Sequence, residues 1–325
     1  MQIEATNIAE QKSINGADFP LVLSAAPGSE CTQSNFLAWI NENQREIRDL
    51  MVKHGAILFR GFPVDGAEAF EAVLDAAEFV NMPYVGGAAP REQVTKGRIL
   101  TANESPPDQP IPFHHEMAQV PNPPAYVFFY CDIAPATGGE TAIVHSHRVY
   151  ESFVAANPEF AAKIEALGVK YIRVMPEQDD ATSPIGRSWR STFLTDERAG
   201  AEEKMRSLGT KWRWQDDGTL YTETAVVPAI RTEPRSGMKT FFNSVVAAYT
   251  GWTDSRNDPK KAVVCGDDSP VDGEAVIQTG AAMAEECVAF RWQEGDVLLV
   301  DNSLVMHSRR PYEGPRRILA SIATG

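Results

Sequence analysis

Within Pro112-Phe113-His114-His115-Glu116-Met117 a histidine and a carboxylate stand two residues apart, and a further histidine, His307, stands near the C-terminal end. Residues two apart on a β-strand share one face. If this segment is a strand, His114 and Glu116 aim one imidazole and one carboxylate at a single point, and His115 faces the other way. A fold that lets His307 join them must lay a late segment of the chain beside an early one.

The bulk properties leave room for such a fold. The chain has 325 residues, 43% of them hydrophobic and 23% charged, which suits a globular protein with a substantial core. Its formal net charge of −14 argues against broad binding to nucleic acid or to an anionic membrane surface. The N-terminal residues carry no basic start followed by an apolar run, and no apolar run approaches membrane-spanning length. Cys31, Cys131, Cys265 and Cys287 match no zinc or redox spacing. Reduced thiols and a cytoplasmic location are therefore expected.

The hydrophobic pattern predicts helices over Ser34–His54, with Gly55 as the stop, and over Ala67–Val80. Between them Ala56–Phe59 reads as a buried strand, and Gly86–Pro90 as a loop. From Arg98 onward short apolar runs between Pro, Gly and Asn breaks predict strands. The clearest are Tyr126–Cys131, Glu140–Val144, Lys239–Val246, Asp296–Val300 and Arg317–Ile322. Ser146–Asn157, Glu159–Leu167 and Asp272–Glu286 read as helices. Residues 179–217 are polar and irregular, a candidate lid or substrate loop. With no repeat or long linker, residues 1–325 are expected to form one domain.

Two His and one carboxylate with an open face form the facial triad of non-heme Fe(II) oxygenases, although the same ligands would also hold Zn, Mn or Co. Companion residues narrow the choice. Gly138-Gly139-Glu140-Thr141 follows the first two candidate ligands, and Asp301-Asn302 precedes the third. Pro315-Arg316-Arg317-Ile318 comes shortly after it. A guanidinium beside a metal suits the far carboxylate of a bound dicarboxylate. Because Arg316 and Arg317 are adjacent, only one can face inward on a strand. Arg317 is the residue expected to do so, with Arg316 outward. A zinc hydrolase would typically place its His pair at helical spacing and leaves Thr141 and Arg317 without a role. A non-catalytic binding protein has no need of the triad.

With these motifs in view, the chain resembles the Fe(II)/2-oxoglutarate dioxygenases of the taurine dioxygenase (TauD/TfdA) superfamily. It looks nearest the clavaminate synthase-like branch, which includes an amino-acid hydroxylase. The resemblance runs from His54-Gly55-Ala56-Ile57-Leu58-Phe59-Arg60-Gly61-Phe62 to Ser308-Arg309-Arg310-Pro311, through Asn103-Glu104-Ser105-Pro106-Pro107 and Asn243 to Trp252. It implies a mainly β fold with flanking helices around a double-stranded β-helix (jelly roll) core. It also implies His114, Glu116 and His307 as iron ligands, Thr141 and Arg317 as holders of 2-oxoglutarate, and O2 as co-substrate. The implied reaction hydroxylates an unactivated C–H bond and releases succinate and CO2. Desaturation or ring closure on a similar substrate is the alternative. The carboxylate ligand argues against halogenation, since halogenating relatives lack it.

The resemblance leaves the substrate open. The family's sulfonate-binding Arg lies four residues after the 2-oxoglutarate Arg. Counted from Arg317 that position is Ser321, so a sulfonate is not implied. Asn103, Glu104 and Asn243 lie in segments that line the pocket in relatives. Arg187, Arg190, Arg309 and Arg310 form the best basic patch in an acidic chain, suited to a substrate carboxylate or the phosphate of a carrier-protein arm. Carrier proteins are usually acidic too, so long-range repulsion favours a free small amino acid over a carrier-bound one.

Overall fold

The computed structural model describes residues 1–325. Its largest sheet has seven strands, in the order Ile3–Thr6, Leu21–Ala25, Ala56–Phe59, Val297–Asp301, Tyr126–Ile133, Arg317–Ala323 and Leu100–Thr101. All neighbours are antiparallel except Leu21–Ala25 with Ala56–Phe59. The central strands are buried on both faces, which is why they read as continuous apolar runs rather than as alternating ones.

One face of this sheet carries helices. Phe36, Ile40, Ile47, Met51, Phe70, Val73 and Leu74 pack there against Ile57, Phe59, Phe128, Tyr130 and Leu299. The periodicity predicts one helix from Ser34 to His54, but the chain forms two, Gln33–Glu42 and Gln44–His54. Asn43 breaks the run with a non-helical backbone, and its side chain bonds back to Trp39 O. The break lets the apolar stripe turn with the sheet. Gly55 ends the second helix at φ 71°, where a Cβ would come within 2.7 Å of Val305 Cγ2.

Against the other face packs a three-stranded sheet, Ile143–His145, Val305–Arg309 and Ile111–His114. The layer between the two sheets contains Val127, Phe129 and Cys131 from the large sheet and Ile143 and Val305 from the small one. A four-stranded sheet, Lys211–Trp214, Leu220–Glu223, Val169–Met175 and Val263–Cys265, lies farther out. Helices Ser146–Ala156, Pro158–Leu167, Val245–Gly251 and Gly273–Glu286 contribute to the third core.

Other sequence expectations shift. Only Lys239–Thr240 of the expected Lys239–Val246 strand is extended; Val245–Gly251 is a helix, because Asn243 and Ser244 turn the chain. Residues 179–217 contain helices Trp189–Phe193 and Arg198–Ser207 and the strand Lys211–Trp214. Their apolar side, Trp189, Phe193, Ala201 and Met205, closes a small core of its own. No helix is long and apolar enough to cross a membrane.

Candidate metal and 2-oxoglutarate site

Strand register places the first pair of site residues. His307 lies directly opposite His114 on the neighbouring antiparallel strand, and the two rings sit 4.3 Å apart between centroids. The strand ends at His114, and Glu116 lies in the turn that follows. Glu116 therefore does not reach the common point by strand alternation, as the spacing suggests, but by a turn that puts Met117 at φ 53°. One ligand atom from each of His114, Glu116 and His307 lies within 4.8 Å of the others.

The turn is held from outside. Asn302 accepts from Glu116 N at 2.8 Å and donates to Glu116 O at 3.0 Å and to Pro124 O at 2.8 Å. His115 is fully buried and faces away from the cluster. A carbonyl can only accept, so His115 Nδ1 must donate to Asn302 O, leaving Nε2 to accept from the Ser146 hydroxyl. By the same argument His114 Nδ1 donates to Pro112 O at 2.9 Å, which leaves its Nε2 lone pair free.

Electrostatics keep these groups in ligand form. Burial, helped by the neighbouring His307, pushes the His114 imidazole down to about 4, so it is neutral near pH 7. Burial alone would raise the Glu116 carboxyl. The Arg91 guanidinium and the two imidazoles outweigh it and hold the group well below the usual carboxylate range. Arg91 Nη2 donates to Glu116 Oε2 at 2.7 Å, and both side chains are nearly inaccessible.

The cluster opens into a cavity of about 910 Å³, counting the space at its mouth. Thr141 and Arg316 line it; Arg317 does not. Arg317 points out to Asp132 at 2.9 Å, with 47% of its side chain exposed. The expectation for the adjacent pair is thus reversed. Arg316 stands just before the strand, whose register breaks between Arg317 and Ile318, so strand alternation alone does not decide which of the two turns inward; Arg316 is the one that lines the cavity. Arg316 donates through Nε to Gly139 O at 2.9 Å, and burial pulls its pKa down to about 10. Gly139, at φ 70°, is required here: a Cβ would meet Arg316 Cδ at 2.9 Å. Four residues beyond Arg316 stands Ala320, which is apolar and buried; Ser321 instead accepts from Arg98.

The remaining sequence candidates separate. Asn103 and Arg309 border the cavity. Arg309 is committed to three carbonyls, those of Ser105, Pro106 and Gln109. Glu104 is exposed and outside the lining. Asn243 is spent on Ala229 O and Val245 N, and Arg190 on Glu177 and Asp196 O. Arg187, from the expected basic patch, is bound to Tyr84 O, Gly87 O and Ser191 O. Arg91 escapes sequence reasoning because it lies in an irregular segment with no periodicity and no motif around it.

The donor set of two imidazoles and one carboxylate, with Glu116 and His307 buried and His114 half-buried at the cavity wall, fits a divalent transition metal. Comparisons with known proteins agree with that chemistry. The family described as taurine catabolism dioxygenase TauD, TfdA family matches residues 19–322. A clavaminate synthase-like protein of Arabidopsis thaliana is 49% identical over 98% of this chain and 97% of its own length. The dapdiamide synthesis protein DdaC of Enterobacter agglomerans is 27% identical, with 93% of each chain covered. Among solved structures, PvcB of Pseudomonas aeruginosa superposes with a TM-score of 0.55 at 14% identity, over 99% of this chain and 91% of that one. The chain belongs to the TauD/TfdA dioxygenase family.

Proposed function

We propose that this enzyme hydroxylates an unactivated C–H bond of a small amino acid or amino-acid derivative, with His114, Glu116 and His307 as the iron ligands. As a TauD/TfdA family member it is an Fe(II)- and 2-oxoglutarate-dependent dioxygenase that uses O2. The observation that carries the residue assignment is the cluster of two histidines and one carboxylate that converge in the lining of the cavity. Bound there, Fe(II) and 2-oxoglutarate would supply O2 activation, with one oxygen atom of O2 going to the succinate formed as 2-oxoglutarate loses CO2 and the other to the hydroxylated substrate.

The chain's own residues prepare that chemistry. Pro112 O fixes the His114 tautomer, and Asn302 fixes the backbone of Glu116. Arg91 keeps Glu116 ionised. Thr141 and Arg316 are the residues we assign to the far carboxylate of 2-oxoglutarate. The hydroxyl of Thr141 is oriented by Trp292 Nε1 at 3.3 Å, and the guanidinium of Arg316 donates to Gly139 O and to no carboxylate. A partly buried guanidinium that no carboxylate hydrogen-bonds supports an anionic ligand. Phe129, Met117 and Ile185 give the cavity an apolar side on which a substrate carbon chain can rest while water is kept out.

The substrate class rests partly on relatives. PvcB is described as an Fe, alpha-ketoglutarate dependent oxygenase from an isonitrile synthetic pathway, and DdaC as a dapdiamide synthesis protein. Both point to small nitrogen-containing molecules. A free substrate is preferred to a carrier-bound one, because Arg187 and Arg190 are already engaged and offer little to a phosphate arm. We read the two facing sheets as the walls of a double-stranded β-helix, within one catalytic domain. Residues 179–217 are read as its cover, since Pro184 and Ile185 border the cavity. Four unpaired cysteines support a reducing, cytoplasmic setting.

The test is an anaerobic optical titration of the metal-free protein with Fe(II) and then 2-oxoglutarate. A visible charge-transfer band is expected only when both are present, and it should vanish in His307→Ala. Iron binding without a band would remove 2-oxoglutarate from this site.

A further inference from the structure

We infer that Arg91 is the anchor for an anionic group, a carboxylate, on the substrate to be oxidised. The inference rests on the oxygenase reading above and adds the substrate's charge and its contact residue.

The charge of the cavity comes first. Its ionisable lining, the histidines aside, is Arg91, Arg309, Arg316 and Glu116, so cations outnumber carboxylates in a chain whose net charge is −14. A divalent metal and doubly charged 2-oxoglutarate cancel each other. The positive surplus of the walls then survives into the state that receives substrate. A buried surplus of this kind disfavours a neutral or cationic ligand and favours an anion.

The hydrogen-bonding capacity of each guanidinium shows which one is available. Arg309 is used by three backbone carbonyls. Arg316 lines the cavity along with Thr141 and is assigned to 2-oxoglutarate. Arg91 has a single partner, Glu116 Oε2, and its Nε and Nη1 are buried without any acceptor. Only 4% of the side chain is accessible. Unpaired buried donors are costly, and the usual remedy is a partner that arrives with the ligand. The plane of the guanidinium is set by the Tyr84 ring, 4.2 Å from its centre, so the fork is held ready rather than assembled on binding. Because Arg91 also touches Glu116, a substrate carboxylate held there lies beside the metal cluster. The carbons adjoining that carboxylate are then the ones presented for oxidation.

The experiment uses the full chain loaded with Mn(II) and N-oxalylglycine, an unreactive analogue of 2-oxoglutarate. The probes are the L-amino acids and their N-acetyl derivatives, each compared with its own primary amide by thermal shift and then by calorimetry. Tight N-oxalylglycine binding that needs Mn(II) is the control for the oxygenase reading; its absence would overturn that reading and this one together. Given the control, at least one carboxylate should bind wild type about 30-fold or more tightly than its amide, the scale of a buried Arg–carboxylate pair. In Arg91→Gln the preference should fall to within about threefold, with Arg91→Lys intermediate because it keeps the charge and loses the fork. If Arg91 only positions Glu116, Arg91→Gln will weaken Mn(II) binding and leave the carboxylate preference intact, and the proposal is overturned. It is equally overturned if no carboxylate outbinds its amide in wild type.

Discussion

On the Tyr126–Ile133 strand, Tyr126, Phe128 and Tyr130 point into a layer of helices, whereas Val127, Phe129 and Cys131 point toward the second sheet. The helix side is filled by aromatic and aliphatic packing, with Phe79 against both Tyr126 and Phe128. The Tyr130 hydroxyl is satisfied there by Gly66 N and Val64 O. The other side begins as the same kind of core but ends at Phe129 against the His307 ring. Beyond that contact lie the buried pair Glu116 and Arg91 and the partly buried Arg316, charges that the chain itself only partly neutralises. One side of a strand is spent on stability, and the other tolerates unpaired polar groups that a ligand completes.

The contrast is broken most strongly by hollowing out the helix side. Phe128 is fully buried, so Phe128→Ala should cost about 3–5 kcal/mol of unfolding free energy in urea titrations. The affinity of the surviving folded protein for 2-oxoglutarate should be unchanged. A large loss of affinity at native temperature would show that the two sides are mechanically coupled.

The opposite outcome is expected for Arg316→Ala. Removing this guanidinium should weaken 2-oxoglutarate binding by about 2–5 kcal/mol. Stability of the ligand-free protein should stay level or rise, because a desolvated cation held by one carbonyl hydrogen bond is removed. A drop in ligand-free stability with affinity intact would move Arg316 out of the site and into the scaffold.

His145 sharpens the comparison through pH. It is buried between the sheets, with its ring edge against Phe19 and no partner for Nδ1. Burial, with His147 and Arg148 adding to it, pushes its pKa from the usual 6.5 down to about 4. Between these values the unfolded chain takes up a proton that the folded chain refuses. The contribution is full above pH 6.5 and drains away as pH falls toward 4. Asp301 acts in the opposite sense, since burial raises it to about 6 and its contribution is lost as pH rises. Comparison with His145→Gln isolates the histidine. Wild type should lose about 2–3 kcal/mol more than the variant between pH 7 and 4.5. Equal losses would mean that His145 is charged in the folded protein.

How much of this was legible from residue order alone follows the same division. Tyr126–Ile133, Ala56–Phe59 and Val297–Asp301 are legible because apolar runs between turn residues encode burial locally. His114 and Glu116 are legible as a pair, although the turn that joins them replaces the expected strand. Their meeting with His307 is a matter of strand register between distant segments, and family resemblance rather than periodicity points to it. Arg91 is not legible at all. It lies in an irregular segment, and its role depends on Tyr84 and Glu116 closing around it in three dimensions. The helical break at Asn43 and the Val245–Gly251 helix are lost for a related reason: one side-chain hydrogen bond decides each, against a pattern that allows continuation.

The smallest expected effect belongs to Arg317, and it is informative because the neighbouring Arg316 carries one of the larger ones. The two residues have the same side chain and adjacent positions, so composition, charge and local propensity cannot separate them. Only the side to which each turns does. Arg317 meets Asp132 with about half of its side chain in water, where an ion pair contributes about 0–1 kcal/mol. Arg317→Ala should therefore change stability by less than about 1 kcal/mol and leave 2-oxoglutarate affinity untouched. Added salt should erase even that small difference, because the exposed pair is screened. The effect of Arg316→Ala on affinity should survive the same salt, since its partner is bound in a closed site. If Arg317→Ala instead weakened 2-oxoglutarate binding as much as Arg316→Ala, the assignment of Arg316 rather than Arg317 to 2-oxoglutarate would be overturned.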